Sequence, residues 1–212
     1  MKKVATITII LVVALIAAYI FYTHLPAAQA QSPVIPVLTV TYDDGTSQTF
    51  YPPNFKSSGL TYTILDPSTG KKVVSIKCEF YATVVYTGQP TGWNCSGTFY
   101  WYILDSSKNV LYQTSQRLSA SGSSAPPNNQ PYVVTSATAS ADAIESLYTG
   151  WVDGNIYYLR YRITDFAYTL NFPTGPQTKS ATVADLDWQF KYQVAGQFIS
   201  VSISWNFVPT YG

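Results

Sequence analysis

From Ile199 to Phe207, large apolar residues hold every odd position, while Ser200, Ser202, Ser204 and Asn206 hold the even ones. A period of two over that length suits an extended strand with one buried face and one wet face, because successive strand side chains point to opposite sides. The same pattern recurs along the chain from Val37 onward. Tyr157, Leu159, Tyr161 and Ile163 form another apolar face, with Arg160 and Arg162 turned away from it. Trp188 to Val194 suits the partner of the C-terminal strand, joined to it through Ala195-Gly196-Gln197.

Turn chemistry divides the rest. Asp43-Asp44-Gly45 predicts a hairpin over Leu38 to Tyr51, and Pro67-Ser68-Thr69-Gly70 and Ser106-Ser107-Lys108-Asn109 read as two more. Phe99 to Leu104 is apolar on both faces, which places it mid-sheet with cover on both sides. Val73 to Tyr86 reads as one long strand or two. Ser119 to Pro131 is rich in Ser, Gly, Pro and Asn and reads as a long exposed loop. A helix is expected only at Ala139 to Tyr148, where Ile144, Leu147 and Tyr148 share a face behind a Ser140 cap. About nine strands at this spacing predict an all-β, immunoglobulin-like sandwich of antiparallel strands.

The N-terminus follows different rules. Lys2 and Lys3 precede an apolar run of 19 residues, Val4 to Tyr22, and Ala28-Gln29-Ala30 ends the segment. This is an export signal or a membrane anchor, expected to form a hydrophobic helix. The run is longer than the roughly 7 to 15 residues of a signal core and matches the ~20 of a spanning helix. Pro26 and the small-x-small site argue instead for cleavage between Ala30 and Gln31. A pilin-type signal, cut before the apolar run, calls for a small residue after the basic cluster, and Val4 stands there. The organisation is therefore 1–30 as signal or anchor and 31–212 as one domain. In either case the lysines stay inside, the body is delivered to the cell surface or beyond, and residues 4–22 contact the membrane if retained.

Residues 31–212 carry a net charge of −1, because Lys2 and Lys3 leave with the segment and reduce the +1 of the full chain. A near-neutral body without a basic run has no electrostatic footprint for nucleic acid. So few charges also make folding depend little on ionised carboxylates, which favours survival near the carboxylate pKa of about 4.

The single histidine is His24, inside the export segment. Its loss removes Ser-His-Asp, Cys-His and histidine metal chemistry from the body. What remains for catalysis is a carboxylate pair: Asp185 with Asp187, which share a face if extended, or Glu79 in its apolar strand. Turn chemistry and pairing explain these acids more simply, so no enzyme, cofactor or metal centre is expected. Calcium at Asp43 and Asp44, or at Asp185 and Asp187, finds oxygen ligands but no recognisable loop spacing.

Cys78 and Cys95 are the whole cysteine inventory, and an even pair in an exported chain reads as a disulfide. A continuous hairpin would hold them about 26 Å apart along the strand, so the bridge needs the strand to break or fold back. Asn94-Cys95-Ser96 is an N-glycosylation sequence. Tyr100, Tyr102, Tyr158, Tyr168 and Tyr192 exceed what one interior needs, and an aromatic face suits glycans or a subunit contact.

An export signal, a short mature extension and a body rich in Tyr, Ser and Thr together resemble the archaeal thread pilins. The resemblance lies in this layout and in no motif. It implies a sandwich subunit of a filament joined by donor-strand complementation, with copies of itself or other surface proteins as partners. Gln31 to Val40 would be the donor, with Val34, Pro36, Leu38 and Val40 along one side. An unpaired edge beside an open apolar groove would receive it. A monomeric anchored surface protein, a virion envelope protein and a carbohydrate-binding module are the competing expectations.

Overall fold

The computed structural model describes residues 34–52, 61–68, 70–180, 184–194 and 196–207. Residues 1–30, expected to be a signal or anchor, and the expected cleavage residues Ala30 and Gln31 lie outside them. Among the described residues no helix is long and apolar enough to cross a membrane.

The described residues form eleven strands and one short helix: β1 (Val34–Tyr42), β2 (Ser47–Phe50), β3 (Thr61–Leu65), β4 (Lys72–Thr83), β5 (Gly92–Leu104), β6 (Val110–Gly122), β7 (Pro131–Ser140), α1 (Ala141–Ser146), β8 (Ile156–Phe172), β9 (Gly175–Ser180), β10 (Ala184–Gln193) and β11 (Gln197–Phe207). The two strands beyond the expected nine come from short pieces such as β9, whose Gly-Pro start and polar sequence carry no apolar alternation. All strands belong to one antiparallel ladder, β2-β1-β4-β11-β10-β8-β5-β6, with β7 added on β4, β3 on β11 and β9 on β8.

The ladder curls. Phe80 of β4 and Phe99 of β5 are not on neighbouring strands, yet their rings meet edge to face at 5.2 Å. The Trp205 indole of β11 donates to the Pro36 carbonyl of β1 at 2.6 Å, and the Trp188 indole to Ser200 Oγ at 2.8 Å. Both buried indoles are thereby satisfied, as low-dielectric burial requires. Two β-bulges set which residues face inward. In β11 the register skips between Gln189 and Phe190, so Phe198 and Ser200 face the core on one side of Val201, and Ile203 and Trp205 on the other. Ile199 and Val201 are therefore only half-buried, against the unbroken alternation read from the sequence. In β8 the shift falls opposite Gly97, where Asp165 takes φ 52°. Tyr157, Leu159, Tyr161 and Ile163 point inward before it, and Phe166, Tyr168 and Leu170 after it.

Three further readings need correction. Pro67–Gly70 does not close a hairpin: β3 and the start of β4 both pair with β11, one after the other along the same edge. Ser119–Pro131 is not all loop, because β6 continues to Gly122, pairing with Trp93. Gly122 is required there, since an added Cβ would lie 2.4 Å from Trp93 Nε1. Phe99–Leu104 is paired on both sides, by β6 and β8, but lies one strand from the end of the ladder rather than in its middle, and Tyr100 and Tyr102 stay half-exposed on its outer side. The other turns form as expected: Gly45 at φ 80° closes β1–β2, and Lys108 at φ 64° closes β5–β6. The helix begins behind Ser140, whose Oγ accepts from the Ala143 amide at 3.2 Å.

Candidate assembly site

β6, at one end of the ladder, and β7, which branches from β4, are both edge strands among the described residues. Among the described residues β6 pairs only with β5, and β7 only with β4. Near Gly122, β5 and β7 approach each other, with the Trp93 and Tyr132 rings 5.5 Å apart. Toward α1 they separate around a cleft of about 730 Å³, lined by Trp101, Thr114, Gln116, Ala139, Ala143 and Leu147 among others. On the β7 side the cleft is lined only by the small residues Thr138, Ala139 and Ser140. The sequence had one signal for this seam: between Val110 and Ser140 the only charged residue is Arg117. Sheet edges are ordinarily guarded by charges, proline or bulges, so two edge strands with a single charge between them stand out. Trp101 and the β6 run Thr114–Gln116 were not singled out from the sequence, because nothing local distinguishes an edge strand from an inner one.

The donor candidates sit inside their own sheet. β1 pairs with β4 from Val34 to Tyr42 and with β2 from Leu38 to Thr41. Val34, Ile35, Pro36, Val37 and Leu38 are all buried, so both faces are covered rather than the single Val34, Pro36, Leu38 and Val40 side. Gln31 itself lies outside the described residues.

The acids form structural pairs. Asp185 and Asp187 do share the outer face of β10, opposite Arg162 and Arg160 of β8. Arg160 donates to Asp187 from Nε at 2.6 Å and from Nη2 at 2.8 Å, and Lys108 Nζ reaches the same carboxylate at 2.9 Å. Burial alone would raise the Asp187 pKa, but the Arg160 and Lys108 hydrogen bonds outweigh it and hold the group below the usual carboxylate range. Arg162 donates to Asp185 from Nε and from Nη2 and lies over the Tyr102 ring. Both carboxylates are thus engaged as ion pairs across β8 and β10, Asp187 with Arg160 and Lys108 and Asp185 with Arg162. Glu79 is not in the core: it lies on the outer side of β4, 2.6 Å from Lys77 Nζ. Asp44 is held below its usual range by Lys71 and by the Thr46 turn, and Asp43 stands exposed beside it. Among the described residues no three His, Cys, Asp or Glu side chains converge as metal ligands would.

Cys78 and Cys95 are free, buried thiols, which corrects the expected bridge. Cys78 lies on β4 opposite Leu38 of β1 and Ala137 of β7. Cys95 lies on β5 opposite Ala120 and Tyr168, so the two thiols belong to different parts of the ladder. Burial raises both pKa values and suppresses the thiolate. Asn94 is exposed but lies within β5, held between Ser121 and Thr169, rather than in a loop. Of the surplus tyrosines, Tyr168 and Tyr192 are buried. Tyr100, Tyr102 and Tyr158 are half-buried on the outer face, with Tyr100 and Tyr102 stacked at 5.8 Å and Lys108 over Tyr158 at 5.0 Å. No family model, curated protein or solved structure matches the chain.

Proposed function

We propose that this chain is a non-enzymatic protein of the cell exterior, a structural or adhesive filament subunit of the archaeal thread-pilin type, whose copies are joined by strand donation. The curled ladder is then an immunoglobulin-like sandwich: Phe80 against Phe99 and Trp93 against Tyr132 are contacts between its two layers. The reading is carried by β1. This uncharged strand follows the export segment directly, and both of its faces are buried from Val34 to Leu38. A strand so enclosed keeps every contact if it is supplied by a neighbouring copy, so exchange between subunits costs little beyond ordering the connection. The leader and the absence of histidine after His24 fit a protein whose work is adhesion rather than chemistry.

Leu38 stands directly opposite Cys78 in the β1–β4 register, so Leu38→Cys places two thiols where a disulfide can form. Oxidised natively matured protein should run as a ladder of covalent multimers on a denaturing gel. A cross-linked monomer alone would show β1 folded into its own chain and overturn donation. That result would favour the monomeric anchored surface or envelope protein instead. The outer tyrosines favour one further reading, a carbohydrate-binding module with Tyr100, Tyr102 and Tyr158 stacked on sugar rings. Retention on a glycan array, lost in a Tyr100→Ala, Tyr102→Ala double variant, would support it.

A further inference from the structure

We infer that the free edge of β6 is an interface between two copies of this chain, the two β6 strands pairing antiparallel about a two-fold axis. This interface is separate from β1 exchange and does not rest on it.

An edge strand leaves half of its backbone N–H and C=O groups without strand partners. β6 runs for 13 residues and pairs among the described residues only with β5. It contains no proline, and its one bulge falls at Leu104/Val110, at its very start. Its Gln113, Thr114, Ser115, Gln116 and Arg117 are all exposed, on both faces of the strand, since the cleft lies beneath them. β7 is different. It opens on Pro131, is interrupted by a bulge at Val134, and closes against β5 through Tyr132. Those are the devices that blunt an edge, and β6 lacks them.

The side chains define a register. The cleft-lining residues Thr114, Ser115 and Gln116 are centred on Ser115. Antiparallel pairing about Ser115 sets Thr114 opposite Gln116 of the second copy. Gln113 then faces Arg117, an amide oxygen beside a guanidinium. Tyr112 faces Leu118 on the inward side, in the same row as Trp101 of β5. No like charges meet, and the only charged residue of β6 gains an acceptor. A partner edge of equal length whose single charge meets an acceptor is therefore supplied by the chain itself.

Sedimentation equilibrium of natively matured protein tests the pairing. Gln113→Glu places a carboxylate opposite Arg117 of the partner and should tighten dimerisation. Gln113→Lys places like charges there and should weaken it, each by about two- to five-fold per symmetric contact. Thr114→Pro, which inserts a ring into the edge, should abolish it. Residue 113 is exposed, so its two variants fold even if the proline variant does not. Exchange of β1 is indifferent to charge at 113, and the Leu38→Cys ladder should persist in Gln113→Lys. Wild-type protein that never dimerises beyond such exchange would overturn the inference. So would a dimer unmoved by both charges, or one lost instead through Ser136→Lys on β7.

Discussion

Asp187 is fully buried although it lies on the outer side of its strand, because Arg160 and Lys108 close over it. Its pKa is depressed in the folded chain, so protons bind the unfolded state first as pH falls. The stability contributed by this group is thus complete above the unfolded value of about 3.9 and is lost as pH drops through the lower folded value. Asp187→Asn removes the charge while leaving Arg160 and Lys108 in place, and should cost about 3 kcal/mol at pH 7, the lower end of the range for a broken buried pair because Lys108 is half-exposed. Melting curves from pH 7 down to 2 should show the gap between wild type and variant closing below pH 4; a gap of constant size would remove the ion pair as its cause. The cysteines offer a second check at this scale. Alkylation by iodoacetamide should be absent from the native protein and reach both Cys78 and Cys95 after unfolding without reductant, since burial suppresses their thiolates and no bridge joins them.

Among the elements, β11 shows how far local pattern reaches. Alternation of Ile and Trp with Ser and Asn is enough to identify a half-buried strand, and the partner Trp188–Val194 follows from the short connection. The bulge at Val201 is invisible at that level, because it is created by the match to β10 rather than by any residue of β11 alone. Its consequence is measurable. Ile203 is fully buried, and Ile203→Ala should cost 2–5 kcal/mol, whereas Val201→Ala should cost about 1 kcal/mol or less in urea unfolding. Equal losses would mean that the alternation runs unbroken. The short helix was legible for the converse reason: the Ser140 cap and the Ile144 face act within a few residues of each other. β3 was not, since its partner in β11 is about 140 residues away in sequence. The seam was half legible: the scarcity of charge from Val110 to Ser140 is written in the sequence, but which strands are edges is decided only by the ladder.

For the whole molecule, the position of β1 has the largest consequence. Val34, Ile35, Val37, Leu38 and Val40 are buried, and full burial contributes roughly 1.5–3 kcal/mol for each such side chain. Together this is of the same order as the 5–15 kcal/mol that holds an entire domain folded. The Pro36 carbonyl accepts from the buried Trp205 indole, and an unsatisfied indole would cost about 1–3 kcal/mol more. A chain beginning at Ser47 should therefore fail to reach the native state, with weak near-UV circular dichroism and no cooperative melt. Adding a peptide of residues 34–42 should restore both, because β4 offers pairing along its length and the apolar slot is otherwise complete. Rescue requires the strand as a unit: a peptide with Leu38→Asp should fail, since that side chain is directed into the slot beside Cys78. Folding of the truncated chain without peptide would show that β1 is dispensable, and a dispensable strand could not hold one subunit to the next. Rescue by the wild-type peptide alone would establish that the slot accepts its strand from outside the chain, the physical condition that any assembly by donation has to meet.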